Sequence, residues 1–95
     1  MTSIRVVGIR SRKVREWQNG DKLLCHFDCE IGLVGIDECL LIRKAKGDLV
    51  VSAPKIDTFG DGRRLVHFLD GDIPKQLAVA AYSKFLAMGG QEVAA

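Results

Sequence analysis

Hydrophobic and polar positions alternate along much of the chain, and this pattern predicts β-strands. In the run KLLCHFDCEI (residues 22–31), apolar side chains from Leu23 to Ile31 recur at every second position. A period of two residues is typical of a strand with one buried face. Similar apolar runs elsewhere predict four more strands. They are IRVVGIR (4–10), which extends to Trp17 if VREW (14–17) belongs to it, IDECLLIR (36–43), LVVSA (49–53) and LVHF (65–68).

Turn residues between these runs predict how the strands connect. The pair Asn19-Gly20 is the strongest two-residue hairpin signal, and it predicts a type I′ turn, in which both central residues have a positive φ. The strands on either side of this turn should therefore pair antiparallel. The basic turn from Lys44 to Gly47 should join the strands at 36–43 and 49–53.

After residue 70 the apolar positions change to helical spacing. Asp72 is the predicted N-cap, Pro74 falls in the first turn, and Gly89-Gly90 should end the helix, leaving residues 90–95 as a frayed tail. The predicted apolar stripe consists of Ile73, Leu77, Ala81, Phe85 and Met88, widened by Val79, Tyr82 and Leu86. Strands followed by a helix, without βαβ alternation, predict an α+β fold. We expect a small antiparallel sheet of about five strands with a C-terminal α-helix packed on or beside it.

Length and composition favour a single domain over residues 1–95. The chain is 47% apolar, which suffices for a compact core. A domain of this size buries a modest fraction of its surface, so a homodimer is expected. No apolar run approaches the roughly 18 residues needed to cross a bilayer, and the N-terminus lacks the pattern of a secretion signal. These features predict a cytoplasmic protein without a membrane partner.

The residues that could support catalysis or metal binding are few. The chain has three cysteines, an odd number that favours reduced thiols over a disulfide framework. Cys25 and Cys29 lie about 13 Å apart along one strand, too far to share a zinc ion. Asp37 and Glu38 are neighbours in a strand and should face opposite sides. We therefore expect no metal, no cofactor and no enzymatic activity, since no nucleophile stands beside a histidine.

Positive charge is concentrated at the start of the chain. The net charge is +2, but Arg5, Arg10, Arg12, Lys13 and Arg15 precede every acidic residue. Such a cluster can attract phosphate groups even when the net charge is small. An equally good interpretation is that these charges protect an exposed strand from edge-to-edge aggregation. The sequence leaves both interpretations open.

The long connection after Pro54 is the second candidate contact. Its basic residues suit phosphate, and the hydroxyl of Thr58 can donate a hydrogen bond. Because Asp57 and Asp61 offset part of its charge, a plain solvated loop remains the alternative. The candidate nucleic-acid contacts are Arg10, Arg12, Lys13 and Arg15 in the first strand region, and Lys55, Thr58, Arg63 and Arg64 in this loop.

The order of these motifs resembles the stage V sporulation protein G (SpoVG) family. The resemblance rests on IRVVGIR, the Asn-Gly turn, GIDECLLIRKAKGDLVVSAPK, DGRRLVHF and AAYSKF in the helix. It departs at Arg63-Arg64-Leu65 and at His67-Phe68, where the family usually has an acidic residue and a His-Pro pair. The resemblance implies a dimer formed by joining sheets that binds DNA or RNA as a regulator, with the loop after Pro54 near the contact. The alternative is a protein-interaction or structural dimer module that uses the helix stripe and Trp17 as its partner surface.

Overall fold

The structure, a computed structural model, describes residues 3–11, 13–54 and 66–92, and only the backbone of Ser11. It confirms the α+β fold: an antiparallel sheet with one C-terminal helix packed against it. The elements are β1 (Ile4–Ser11), β2 (Arg15–Glu16), β3 (Lys22–Ile31), β4 (Val34–Arg43), β5 (Leu49–Ser52) and α1 (Asp72–Ala87). In the described ranges, α1 is too short and too polar to cross a membrane.

The sheet has the strand order β1-β3-β4-β5, and the short strand β2 pairs with β3 beside β1. Five strands are present as predicted, but the fifth is β2 rather than LVHF. Residues 66–68 form no strand, and Leu65 lies outside the described residues. Phe68 instead packs against the hydrophobic core on the way into α1, so its side chain is used for packing rather than for sheet pairing.

The hairpin between β2 and β3 differs in type from the prediction. Gly20 has φ 91°, whereas Asn19 does not have a positive φ, so the turn is not type I′. The amide of Gly20 donates to the carbonyl of Trp17 at 3.0 Å, and the amide of Trp17 donates to the carbonyl of Asp21 at 2.8 Å. This pattern is a three-residue loop that closes on a left-handed glycine bulge. The predicted antiparallel pairing on either side of the turn is confirmed.

Asp21 ties this hairpin to the next one. The residue is only 6% exposed, and its carboxylate accepts hydrogen bonds from Lys44 Nζ at 2.9 Å and from the amide of Ala45 at 2.8 Å. The hydrogen bond from Lys44 holds the pKa of the Asp21 carboxyl below its usual value. Lys44 and Ala45 belong to the predicted basic turn, which the structure confirms and which closes on Gly47. The two turns therefore form one connected end of the sheet.

The hydrophobic core lies between α1 and one face of the sheet. Residues in register across the strands form rows such as Ile9–Phe27–Cys39 and Cys25–Leu41–Val51. The buried cluster consists of Val6, Val14, Leu24, Cys25, Phe27, Cys29, Cys39 and Leu41 from the sheet side, and Leu77, Ala78, Ala81 and Phe85 from α1. From Cys25 to Ile31 the alternation read from the sequence identifies the buried face correctly, and all three cysteines are buried free thiols. A register shift between Leu23 and Cys25 interrupts the period of two, so Leu24 joins the core cluster and Leu23 does not.

The helix begins one residue earlier than predicted. Gly71 occupies the N-cap position, and Asp72 is the first helical residue. The carboxylate of Asp70 accepts a hydrogen bond from the amide of Asp72 at 2.9 Å, so Asp70 satisfies a donor of the first turn. The C-terminal end agrees with the prediction: Gly89 has φ 87°, and the amide of Gly90 donates to the carbonyl of Phe85 at 2.9 Å.

Only part of the predicted apolar stripe is buried. Val79 is 71% exposed, Leu86 is 49% exposed and Met88 is 40% exposed. The buried side of α1 is narrower because a helix on a single sheet face buries a limited arc of its circumference. Val79 and Leu86 are seven residues apart, which places them on the same outer side of the helix.

The chain does not fray immediately after the helix. Arg43 Nε donates to Glu92 Oε1 at 2.9 Å, and Arg43 Nη2 donates to Glu92 Oε2 at 3.1 Å. Lys22 Nζ also donates to the carbonyl of Glu92 at 3.2 Å, and the hydroxyl of Tyr82 donates to its carboxylate. Residues 90–92 are therefore fastened to β3, β4 and α1, contrary to the expected tail, whereas residues 93–95 lie outside the described part.

Candidate nucleic-acid interface

Two candidate basic residues of the first strand region, Arg10 and Arg15, lie on the sheet face away from α1. Arg5 alternates with the buried Val6, and Arg15 lies opposite Leu23 in the row Arg15–Leu23–Ile42–Val50. Leu23 and Ile42 belong to neither the helix-facing rows nor the buried core cluster. Arg10 and Arg15 would therefore contact a phosphate from this helix-free face.

Both arginines of β1, Arg5 and Arg10, form ion pairs with acidic residues of β3. Arg5 and Glu30 are direct register partners, and their side chains form an ion pair. Arg10 Nε donates to both carboxylate oxygens of Asp28 at 2.8 Å. The free cluster expected from the sequence is therefore partly neutralised, because antiparallel pairing brings the acids of β3 beside the cations of β1.

Arg10 lies in a locally acidic environment. Its hydrogen bonds to Asp28 raise the pKa of the guanidinium, and the charges of Asp37 and Glu38 raise it further. The same contact with Arg10 lowers the pKa of the Asp28 carboxyl. Three carboxylates around one guanidinium disfavour a phosphate at this position. Arg10 is thus the weakest of the described candidates for a phosphate contact.

A β-bulge creates this acidic group. Phe27 pairs with Cys39 and Cys29 pairs with Ile36, so Asp28 alone opposes the two residues Asp37 and Glu38. Both acids are exposed and act on Arg10, so the expectation that these neighbours serve opposite faces is wrong. Alternation fails at a bulge because the extra residue interrupts the period of two.

Glu38 has φ 60°, which is unusual for a residue with a side chain, and its amide donates to Asp28 Oδ1 at 3.0 Å. We expect Glu38→Gly to raise the free energy of unfolding by about 0.5–1 kcal/mol, because glycine adopts this φ without steric cost. Urea denaturation followed by circular dichroism measures this change. The matched control is Asp37→Gly, which lies in the same bulge without a positive φ. Asp37→Gly should lower stability, and an equal loss in both variants would contradict the assignment of strain to Glu38.

The remaining described candidates are Lys13 and Arg15, which are both exposed. Within the described part of the chain, Arg15 has no carboxylate partner. Trp17 follows two residues later, on the same side by strand alternation, and is 36% exposed. Arg12 lies outside the described residues. Arg15 and Trp17 therefore present a cation and an aromatic ring at one end of the helix-free face.

The loop candidates Lys55, Thr58, Arg63 and Arg64 all fall in residues 55–65, outside the described part of the chain. The structure does fix where this segment leaves the sheet, because Ser52 ends β5. β1 and β5 are opposite edges of the sheet, separated by three strand spacings or about 14 Å. The two predicted contact regions are therefore attached to different edges and are not continuous along one strand.

The residues that sequence reasoning missed are the acids Glu30, Asp28 and Glu38. The contact of Asp28 with Arg10 could have been predicted from the sequence, because a regular hairpin around the Asn19-Gly20 turn already places Arg10 near Asp28. The pairing of Arg5 with Glu30 had no such signal, since it depends on bulges in β1 between Val6 and Gly8 and between Ile9 and Ser11. Within the described ranges, no three His, Cys, Asp or Glu side chains are grouped as metal ligands.

Compared with known proteins, the chain matches no family model, no curated protein and no solved structure.

Proposed function

We propose that the protein is a small dimeric nucleic-acid-binding regulator that contacts phosphates through the basic segment around β2 and through the loop after Pro54. The observation that carries this proposal is the position of Arg15. It is exposed, has no carboxylate partner in the described part of the chain, and lies beside the exposed Trp17. Arginine binds phosphate through a two-pronged guanidinium, and an aromatic ring stacks on bases of any sequence.

The pairing of β1 with β3 narrows the proposed contact. Arg5 and Arg10 are held by Glu30 and Asp28, so a phosphate would have to displace a carboxylate to reach them. The segment from Arg12 to Arg15 carries three cations in the sequence before the first acid at Glu16. We therefore assign the main phosphate contact to this segment and an additional phosphate contact to Lys55, Arg63 and Arg64.

The resemblance to the SpoVG family supports the same proposal, since members of that family are small α+β dimers and several regulate by binding DNA or RNA. Dimerisation also suits a chain of 95 residues, because a domain of this size buries a modest fraction of its surface. The regulated process and the target sequence are not part of the proposal.

Fluorescence anisotropy with labelled single-stranded and duplex oligonucleotides at two salt concentrations tests the proposal. The affinity of the wild type should fall with salt by about 0.9 units of log slope for each duplex phosphate neutralised. Arg12→Gln/Arg15→Gln should weaken binding and flatten this slope by about two contacts. Trp17 is the only tryptophan, so quenching of its fluorescence reports base contact directly.

A charge-matched control separates a local contact from general attraction. Arg5→Gln/Arg10→Gln removes the same two charges from residues that are already paired, and it should change affinity much less. The variant Arg63→Gln/Arg64→Gln measures how much of the oligonucleotide affinity comes from the loop after Pro54. Absence of wild-type binding at low salt would refute the proposal. Equal losses in the two charge-matched variants would refute the placement of the contact around Arg15.

A protein-interaction or structural dimer module is the second candidate. The observation in its favour is the exposure of Val79 and Leu86 on the outer side of α1, where they add nothing to the core. Light scattering distinguishes it from the first proposal. A wild-type dimer that binds no oligonucleotide and dissociates on Val79→Ser/Leu86→Ser would favour this alternative.

A further inference from the structure

Two of the three buried cysteines face each other across neighbouring strands. The Sγ atoms of Cys29 on β3 and Cys39 on β4 lie 4.0 Å apart, and the two residues are 1% and 0% exposed. They are not direct register partners, because Cys29 pairs with Ile36 and Cys39 pairs with Phe27. The side chains meet because the bulge at residues 37–38 lies between these two pairs.

We propose that Cys29 and Cys39 form a reversible intramolecular disulfide when the protein meets a hydroperoxide or a low-molecular-weight disulfide, while Cys25 stays reduced. A disulfide requires the sulfurs to approach to about 2.05 Å, so they must close by roughly 2 Å. Their strands are already joined as a hairpin through Gly32, so this motion is local.

Cys29 and Cys39 share a hydrogen bond, whereas Cys25 is buried without such a partner, and this difference affects the pKa of each thiol. The hydrogen bond from Cys39 lowers the pKa of the Cys29 thiol and raises that of Cys39. Burial without such a partner raises the pKa of Cys25 to about 12. The thiolate is the nucleophile in thiol oxidation, and because either sulfur can donate the shared hydrogen bond, either Cys29 or Cys39 can attack while the other resolves the intermediate.

The reaction balances in two steps. With Cys29 taken as the attacking residue, its thiolate attacks one oxygen of hydrogen peroxide, the O–O bond breaks, and the products are a sulfenic acid on Cys29 and hydroxide. The Cys39 sulfur then attacks the Cys29 sulfur, the S–O bond breaks, and the released hydroxide combines with the thiol proton as water. Two thiols are oxidised and one peroxide is reduced. With a small disulfide as oxidant, the same two attacks release two small thiols instead.

The bond would act on the bulge that holds Arg10. Asp28 immediately precedes Cys29, and Glu38 immediately precedes Cys39. The amide of Glu38 and the carboxylate of Asp28 are hydrogen bonded on the helix-free face, opposite the two sulfurs. Drawing the sulfurs together therefore displaces the two backbone positions that fix the Arg10–Asp28 ion pair. The inference stands on the thiol geometry and does not depend on nucleic-acid binding.

The test is oxidation of the folded chain with hydrogen peroxide or oxidised glutathione, followed by intact mass spectrometry and thiol counting in denaturant. The expected result is a loss of two hydrogen masses, one remaining thiol, and full recovery with a reducing agent. Cleavage after glutamate separates Cys39 from Cys25 and Cys29, so the linked peptides show directly whether Cys39 takes part. Cys25→Ala should oxidise like the wild type, whereas Cys29→Ala and Cys39→Ala should not form the bond.

The wild-type measurement decides the matter even if a variant fails to fold. A disulfide that forms only in urea, or one that joins Cys25 to Cys39, would overturn the proposal. Failure of the native protein to lose two thiols during hours of oxidation would overturn it as well. Because no oligonucleotide is present, these outcomes are independent of those that test the proposed function.

Discussion

Phe85→Ala should lower the free energy of unfolding by about 3–5 kcal/mol, whereas Leu86→Ala should cost less than about 1 kcal/mol. Phe85 is 0% exposed and belongs to the buried cluster beneath α1. Its removal takes away the buried ring and leaves a cavity, and the total stability of a domain this size is only about 5–15 kcal/mol. Leu86 is the next residue in the same helix and is 49% exposed. Urea denaturation followed by circular dichroism measures both variants.

The comparison of Phe85→Ala with Leu86→Ala tests which side of α1 faces the sheet, and not whether the helix forms. Both variants place alanine at neighbouring positions of α1, so changes in helix propensity are small for both. Similar losses in the two variants would mean that α1 is rotated from the orientation described. A large loss at Leu86 alone would indicate that its exposed side chain is buried against a second copy of the chain, and a repeat at different protein concentrations would reveal this.

Gly90→Ala should destabilise the fold by about 1–3 kcal/mol, the usual cost of overpacking. A Cβ at Gly90 would lie 2.5–2.6 Å from three ring atoms of Phe85. The ring is fully buried, and the amide of Gly90 is hydrogen bonded to the carbonyl of Phe85, so neither group is free to retreat. Thermal unfolding measures the loss.

The control for this substitution is Gly71→Ala, at the other end of the helix. No atom lies within 4 Å of a Cβ at Gly71, and its φ is −64°, so alanine should change stability by less than about 1 kcal/mol. A double-mutant cycle with Phe85→Leu isolates the contact, because a smaller side chain should relieve part of the clash. An unchanged cost of Gly90→Ala in the Phe85→Leu background would show that the ring is not responsible.

Much of the fold could be predicted because its signals are local. Alternation in β3 identified the buried Phe27 and Cys29, and the glycines after α1 identified its end. The predictions that failed concern residues, such as Asn19 and Phe68, whose side chains are compatible with two different local structures. Asn19 does not adopt the left-handed backbone of a type I′ turn, since its side chain hydrogen bonds to Asp21 in a different loop. Phe68 packs into the core instead of extending a strand.

The candidate site was less accessible to prediction than the fold. Counting charge along the chain identified a basic first strand, but it could not place Glu30 beside Arg5. The reason is register: eleven residue steps separate Ile4 from Arg15, whereas eight separate their partners Ile31 and Leu23. The three extra residues are taken up in irregularities of the edge strand, and no single residue type announces them.

By itself, the sequence determined the α+β class, the antiparallel pairing, the buried face of β3 from Cys25 onward and the end of the helix, because each follows from nearest-neighbour backbone preferences and from the period of hydrophobic residues. Only the tertiary structure decided which cations are neutralised, that Glu92 is bound by Arg43, and that the sulfurs of Cys29 and Cys39 meet. These contacts join residues distant in sequence, and their geometry depends on bulges and on packing that a one-dimensional pattern does not contain.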